Sequence, residues 1–161
     1  MVKQEYTLEE ISYSRKEDCR IMESVLLQWF SNPKTLNYVS PRISYPFKFK
    51  KWLSIFYLPT KNKIITIVLK HNNWIIGHMS LDIYSTHAEI FHFIIDKQYR
   101  RKGLGKKMLL EIENHALKVG IETIISNVIK KNSTAIQFFK NSGYKEANEN
   151  IISSVKFSKK F

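Results

Sequence analysis

The hydrophobic pattern of this chain changes its period near residue 104, and that change constrains the possible folds most strongly. Before it, three segments typical of strands follow one another at residues 63–71, 74–84 and 86–96, with a polar turn at His71-Asn72-Asn73 between the first two. After it, apolar side chains recur every three to four residues, at Leu104, Met108, Ile112, Ala116 and Val119. This spacing predicts an antiparallel meander followed by an amphipathic helix.

The flanking segments extend this core to eleven predicted elements in the order β, α, α, β, β, β, α, β, α, β, β. The outer ones are predicted at residues 5–13, 17–30, 49–56, 122–129, 133–141, 144–147 and 150–157. A loop is predicted at 32–47, and Pro59 is expected to end the second helix. The order predicts one α+β domain over residues 1–161, built on a mixed, mostly antiparallel sheet flanked by helices. Only residues 90–129 have the order of a parallel crossover unit.

Composition limits the possible environments and partners. No apolar run approaches the 18 or so residues of a membrane span, and the N-terminus lacks the apolar stretch of a secretory signal. The single cysteine, Cys19, cannot form an internal disulfide, so we expect a cytoplasmic protein. The net charge of +12 suits an anionic partner, such as a phosphate-bearing ligand or nucleic acid. However, 21 of the 26 cations are lysines and isoleucine also numbers 21, a composition equally explained by AT-rich codon usage.

One basic, glycine-containing segment indicates a ligand. The string Arg100-Arg101-Lys102-Gly103-Leu104-Gly105-Lys106-Lys107 follows a predicted strand and opens the central helix. Its glycines allow close backbone approach, and a helix start presents N–H groups that favour an anion. Cations oppose the dipole at a helix start, so a bound polyanion would explain them. The alternative is a tight turn carrying a solvated lysine patch. The spacing fits neither a Walker loop nor a GxGxxG dinucleotide motif.

Two motifs resemble those of the GCN5-related N-acetyltransferase (GNAT) family. Arg100-x-x-Gly103-x-Gly105 resembles the family's [QR]xxGx[GA] pyrophosphate loop, and residues 132–144 (NSTAIQFFKNSGY) resemble its NxxAxxxYxxxGF pattern. The strong likeness covers residues 88–145. It implies a GNAT-like fold and acetyl-CoA as acyl donor. No metal site is expected, because the histidines are scattered and Cys19 is the single cysteine. The likeness also implies these cofactor-binding residues: Phe93, Ile94, Ile95, Arg100, Arg101, Lys102, Gly103, Leu104, Gly105, Lys106 and Asn132.

The resemblance is incomplete at two catalytic positions. Phe139 stands where many members have a Tyr acid, and Asn127 stands where members that acetylate protein N-termini often have a Glu. The resemblance leaves Glu89 as the catalytic base, because it precedes Arg100 by the same eleven positions as the catalytic Glu of the histone-acetylating branch. Strict strand alternation would place Glu89 on one face with Phe91, Phe93 and Ile95, and His92 on the other. The alternative is that Glu89 is an exposed strand residue facing a lysine.

The sequence therefore predicts an N-acetyltransferase that moves an acetyl group from acetyl-CoA to a primary amine of a small molecule or protein. The acceptor site is expected among the N-terminal helices and the aromatic-rich segment 32–47, although these aromatic side chains could equally pack the helices together. Two other functions stay open. One is a non-catalytic acyl-CoA-binding protein, suggested by Phe139 and Asn127. The other is a basic nucleic-acid or ribosome-binding module, suggested by the charge; no membrane partner is expected.

Overall fold

Seven strands form one sheet in a computed structural model that describes residues 5–58, 61–147 and 152–161. The strands are β1 (Tyr6–Ile11), β2 (Lys63–His71), β3 (Trp74–Ile83), β4 (His87–Ile95), β5 (Thr123–Ile129), β6 (Lys145–Glu146) and β7 (Ser154–Lys160). Their order across the sheet is β1-β2-β3-β4-β5-β7-β6, and every neighbouring pair is antiparallel except β4 and β5. The predicted α+β class, the antiparallel meander and the parallel crossover are confirmed.

Five α-helices flank the sheet in the described part of the chain. They are α1 (Lys16–Trp29), α2 (Pro33–Val39), α3 (Phe49–Phe56), α4 (Leu104–Lys118) and α5 (Ser133–Asn141), with a short 3-10 turn at Lys97–Tyr99. No described helix is both long and apolar enough to cross a membrane. Pro59 and residues 150–151, included in the sequence predictions, lie outside the described residues.

The loop predicted at 32–47 is wrong for its first part, because α2 occupies residues 33–39. Asn32 caps this helix, since its side-chain oxygen accepts hydrogen bonds from the backbone N–H groups of Lys34 and Thr35. Pro33 takes the first helical position, where proline has no N–H to lose. The Asn-Pro pair therefore ends one helix and starts the next.

Each face of the sheet packs against its own set of helices. On one face, α4 and α5 cover a core that includes Leu69, Met79, Ile90, Met108 and Phe139. On the other face, α1, α2 and α3 cover a second core rich in aromatic side chains, which includes Phe30, Phe47, Trp52, Tyr57 and Val68. The sheet is thus buried on both sides along its centre, so the middle residues of β2 and β3 are buried on both faces without alternation.

A bulge in β4 interrupts the alternation of its side chains. Ser80 pairs with Phe91 and His78 with Ile94, so both His92 and Phe93 lie opposite the single residue between them, Met79. His92 has a left-handed φ of 50°. This conformation costs a non-glycine residue about 1–3 kcal/mol, so it persists only where the surrounding structure fixes it.

The bulge changes which residues share a face. Phe93 and Ile95 pack on the α4–α5 face with Ile90, whereas Phe91 and His92 contact Tyr57 on the α1–α3 face. The prediction that Glu89 shares a face with Phe93 and Ile95, and that His92 opposes it, is therefore wrong. Glu89 keeps only Phe91 from that set.

Candidate active site

A cleft of about 640 Å³ opens where β4 and β5 separate. The two strands pair from His87 with Thr123 to Ile90 with Ser126, and no further register pair joins their described residues. Beyond that point Phe91, His92 and Phe93 of β4 line the cleft without a register partner in β5. Among the predicted site residues, Glu89, Phe93 and Asn132 line the cleft, whereas Ile94, Ile95 and residues 100–106 do not.

A carboxylate pair lies at the paired end of the cleft. Glu89 and Asp82 stand directly opposite each other on β4 and β3, and both line the cleft. Asn127 donates a hydrogen bond from Nδ2 to Oε1 of Glu89 at 2.9 Å, and Tyr84 donates from its hydroxyl to Oδ2 of Asp82 at 3.1 Å. Oδ1 of Asp82 is buried and has no hydrogen-bond partner among the described residues. Arg42 is the other charged residue in the lining, so this end of the cleft is acidic in a chain of net charge +12.

The opposite wall of the cleft is aromatic. Phe139 is only 2% exposed and lies 5.8 Å from the ring of Phe157 in a stacked arrangement, with Phe93 at 6.4 Å. Phe139 therefore presents no hydroxyl to the cleft. Asn132 accepts a hydrogen bond from the N–H of Ala135 and so caps α5, as its place before that helix predicts.

The basic loop forms a left-handed turn into α4. Arg101 and Gly103 have φ values of 63° and 75°, and the first residue of the helix is Leu104. The first N–H groups of any helix lack helical partners, so this end presents donors beside exposed cationic side chains. Arg100 instead donates from Nε to the carbonyl of Ile95 at 2.9 Å, which joins the loop to the end of β4.

The two glycines of the loop serve different purposes. A Cβ at Gly103 would meet nothing within 4 Å, so this glycine is explained by its left-handed backbone. A Cβ at Gly105 would lie 3.2 Å from the rings of both Phe93 and Phe138, so this glycine lets the helix start approach the aromatic wall.

A buried hydrogen-bond network reaches the cleft from the α1–α3 face, and no sequence pattern predicted it. His92 lines the cleft with Ser40, whose Oγ lies 3.0 Å from Nε2 of His92. Nδ1 of His92 lies 2.8 Å from the hydroxyl of Tyr57. Nδ1 of His78 lies 2.7 Å from the carbonyl oxygen of His92. These residues come from separate elements with no motif spacing, so only the fold brings them together.

Burial sets the charge of these side chains. Burial, with His78 and Arg42 nearby, lowers the pKa of His92 well below its ordinary value of 6.5. Burial also lowers the pKa of His78 to about 4, although its hydrogen bond to the carbonyl of His92 opposes this. The pKa of Tyr57 is raised well above 10, chiefly by burial. At neutral pH both imidazoles are therefore neutral and Tyr57 keeps its proton.

Comparison with known proteins agrees with this geometry. A sequence model of the acetyltransferase (GNAT) family matches residues 24–144, three quarters of the chain. The chain belongs to the GNAT acetyltransferase family. The matched residues include both motif segments, at 100–105 and 132–144.

Known proteins resemble this chain in sequence and in structure. The spermidine N(1)-acetyltransferase of Thermoplasma acidophilum is 32% identical over 71 residues, which span 44% of this chain and 44% of that relative's length. The GNAT domain of S. lividans PAT superposes with a TM-score of 0.80 at 16% identity, covering 96% of this chain and 89% of that one. The PaiA N-acetyltransferase of T. acidophilum, in complex with coenzyme A, gives 0.73 at 21% identity, with 98% and 99% covered. At these identities the structural likeness establishes the fold.

Proposed function

We propose that residues 1–161 act as one domain that transfers an acetyl group from acetyl-CoA to a primary amine. The observation that carries the proposal is the cleft between β4 and β5, with the basic glycine loop joined to its β4 edge through Arg100. A strand edge beside a cleft can pair with an extended chain, and a helix start can bind phosphate.

The described residues fit acetyl-CoA. The β4 edge at Phe93, Ile94 and Ile95 would bind the pantetheine arm by backbone hydrogen bonds, and the N–H groups of residues 101–106 would hold the pyrophosphate. Charge-assisted bonds of this kind contribute about 1.5–3 kcal/mol each. Gly105 allows the loop to lie against Phe93, so the phosphate site and the β4 edge are adjacent.

Glu89 is proposed to remove a proton from the acceptor. An alkyl ammonium has a pKa of about 10, so at neutral pH it must lose a proton before it can attack the thioester. Asn127 holds the Glu89 carboxylate by one oxygen and leaves the other oxygen for the amine or a bridging water. A backbone N–H near Ile95 would stabilise the negative charge that develops on the carbonyl oxygen. The thiolate leaving group has a pKa of about 8.5, so Phe139 need not supply an acid.

The carboxylate pair favours an acceptor with two positive charges. Asp82 and Glu89 are like charges directly opposite each other, an arrangement that a cation between them would relieve. We therefore propose that the acceptor class is a diamine or polyamine. The spermidine acetyltransferase activity of the relative above supports the same class.

The decisive experiment measures free thiol released from acetyl-CoA with pairs of amines of equal length, such as 1,4-diaminobutane and n-butylamine. We expect turnover with both and a higher kcat/KM for the diamine. In Asp82→Asn we expect that preference to fall about tenfold, while kcat with butylamine is retained. Equal kcat/KM values for the paired amines would contradict the proposed acceptor class.

The same assay separates the other functions considered. Tight acetyl-CoA binding without thiol release for any amine, including peptides with free N-termini, would identify a non-catalytic acyl-CoA binder. RNA binding that weakens steeply with salt, together with no acetyl-CoA binding, would identify a nucleic-acid module.

A further inference from the structure

We propose that Ser40, His92, Tyr57, Ser80 and Thr66 form a proton relay that carries a proton of the acceptor amine from the cleft to a second, solvent-facing cavity. The inference rests on the proposed acetyl transfer, and it assigns a role to buried side chains that the family motifs do not include.

The relay is a continuous chain of short contacts between polar atoms. It begins in the cleft at Ser40, 3.0 Å from Nε2 of His92, and passes from Nδ1 of His92 to the Tyr57 hydroxyl at 2.8 Å. From Tyr57 it continues to the hydroxyl of Ser80 at 2.8 Å. Ser80 then contacts the hydroxyl of Thr66 at 2.8 Å. Each of these atoms can both donate and accept, except the imidazole, which accepts at one nitrogen and donates at the other.

The far end of the chain reaches a different opening. A cavity of about 120 Å³ is lined by Tyr57 and Thr66 of the relay, together with Ser12 and Ser14 at the start of α1. This volume accommodates water, and the serine hydroxyls offer polar partners for it. The relay thus joins two cavities on opposite sides of the end of α3.

The hydrogen bonds around His92 are compatible with transfer away from the cleft. The carbonyl of His92 can only accept, so His78 carries its proton on Nδ1 and accepts from the Tyr13 hydroxyl at Nε2, 2.8 Å away. Tyr13 and His78 therefore hold the bulge without joining the relay. If His92 carries its own proton on Nδ1, Ser40 donates to Nε2 and every hydroxyl beyond it donates toward Thr66.

The charged and titratable groups around His92 oppose a stored proton. His78 faces it from β3, Tyr57 from the end of α3 and Arg42 from the loop after α2, while Asp82 and Glu89 line the same cleft. Since burial and Arg42 disfavour an imidazolium, the proton passes through both nitrogens in one concerted exchange.

The relay accounts for one of the two protons that acetyl transfer removes from the acceptor. Acetyl transfer forms a C–N bond and breaks the C–S bond, and an ammonium acceptor gives up two protons in the process. Glu89 takes the first and returns it through water in the cleft to the departing thiolate. The second enters at Ser40, and each member of the relay passes on its own proton, so one proton reaches the second cavity. Rotation of the hydroxyls and of the His92 ring then restores the Nδ1 proton before the next turnover.

The test compares two buried tyrosines. Tyr57→Phe removes a relay hydroxyl, whereas Tyr13→Phe removes a hydroxyl that makes an equally short bond to a histidine outside the relay. The measurements are kcat for thiol release with the best amine, its dependence on the D₂O fraction, and the denaturant midpoint of each variant. Thr66→Val, which keeps the shape at the far end of the relay, serves as a second variant.

We expect both tyrosine variants to lose similar stability, while only Tyr57→Phe lowers kcat by about tenfold or more. In the wild type, the plot of kcat against the D₂O fraction should be curved, as for a step that moves several protons. The plot should become linear in Tyr57→Phe and Thr66→Val. Equal kcat losses in the two tyrosine variants, or a D₂O dependence that Thr66→Val leaves unchanged, would overturn the relay.

Nitrogen NMR of the resting protein gives a readout independent of turnover, and it should place the His92 proton on Nδ1. Finding it on Nε2 would also overturn the relay. A wild-type protein with no turnover would overturn the proposed function and the relay together, whereas normal turnover with a normal Tyr57→Phe variant would overturn the relay alone.

Discussion

Replacing Glu89 by Gln should separate catalysis from stability. Gln keeps the side-chain shape and an oxygen for the 2.9 Å hydrogen bond from Asn127, but it cannot accept the amine proton. Loss of a general base typically lowers kcat by about 10²–10⁴, which corresponds to about 2.7–5.5 kcal/mol in the activation barrier. Acetyl-CoA affinity should hardly change, because Gln keeps the side-chain shape and Glu89 is not among the residues proposed to hold acetyl-CoA.

The free energy of unfolding should move in the other direction. Glu89 faces Asp82 directly across β3 and β4, and removing one of two like charges in such a pair stabilises a sheet by about 0.2–1 kcal/mol. Because Glu89 is partly exposed, the lower part of that range is expected. A lower kcat in a protein of equal or greater stability cannot be explained by misfolding.

The assay is thiol release at saturating acetyl-CoA between neutral pH and about pH 10, with urea unfolding on the same samples. The kcat deficit should shrink as pH rises, because more amine is then already neutral. Asp82→Asn is the matched control, since it relieves the same repulsion and should change KM for a diamine far more than kcat. A Glu89→Gln enzyme with wild-type kcat at neutral pH would refute Glu89 as the base and favour an ordered water instead.

Three further predictions follow from the loop, the aromatic wall and the buried imidazoles. Gly103→Glu should remove most acetyl-CoA affinity by calorimetry while pantetheine without its phosphates binds as before; equal acetyl-CoA affinity in both proteins would contradict the phosphate site. Phe139→Tyr should keep acetyl-CoA affinity and raise kcat or shift its pH profile, and an unchanged rate at every pH would mean that no acid is used there. His78 should make unfolding easier in acid: its pKa is about 4 when folded and about 6.5 when unfolded, so its stabilisation is complete above pH 6.5. As the pH falls from 6.5 to 4, the free energy of unfolding should decrease by about 3 kcal/mol. Urea midpoints that stay flat between pH 7 and 4.5 in the wild type but not in His78→Gln would contradict this.

The sequence by itself determined the features that depend on neighbouring residues. The apolar runs of β2 and β3 with the polar turn between them, the three-to-four-residue period of α4 and the strand–loop–helix order around Gly103 are local, so a linear pattern records them. The same locality explains why both family motifs could be recognised, since each lies within a dozen or so consecutive residues. The α+β class and the parallel crossover followed from that order.

Only the tertiary structure decided which side chains share the cleft. A bulge adds one residue to β4, so every face assignment after Phe91 is reversed, and alternation counted along the sequence cannot detect that extra residue. The sequence prediction also missed α2, because Asn32 and Pro33 are equally good signals for ending a helix and for starting one.

The polar chemistry of the site depends on the same long-range packing. Asp82 meets Glu89 through strand register, whereas Ser40, Tyr57 and His92 meet because α2 and α3 pack against the bulged strand. Their bonds join residues tens of positions apart and follow no spacing rule, since burial in a shared core, rather than adjacency in the chain, selects the partners of a buried polar atom.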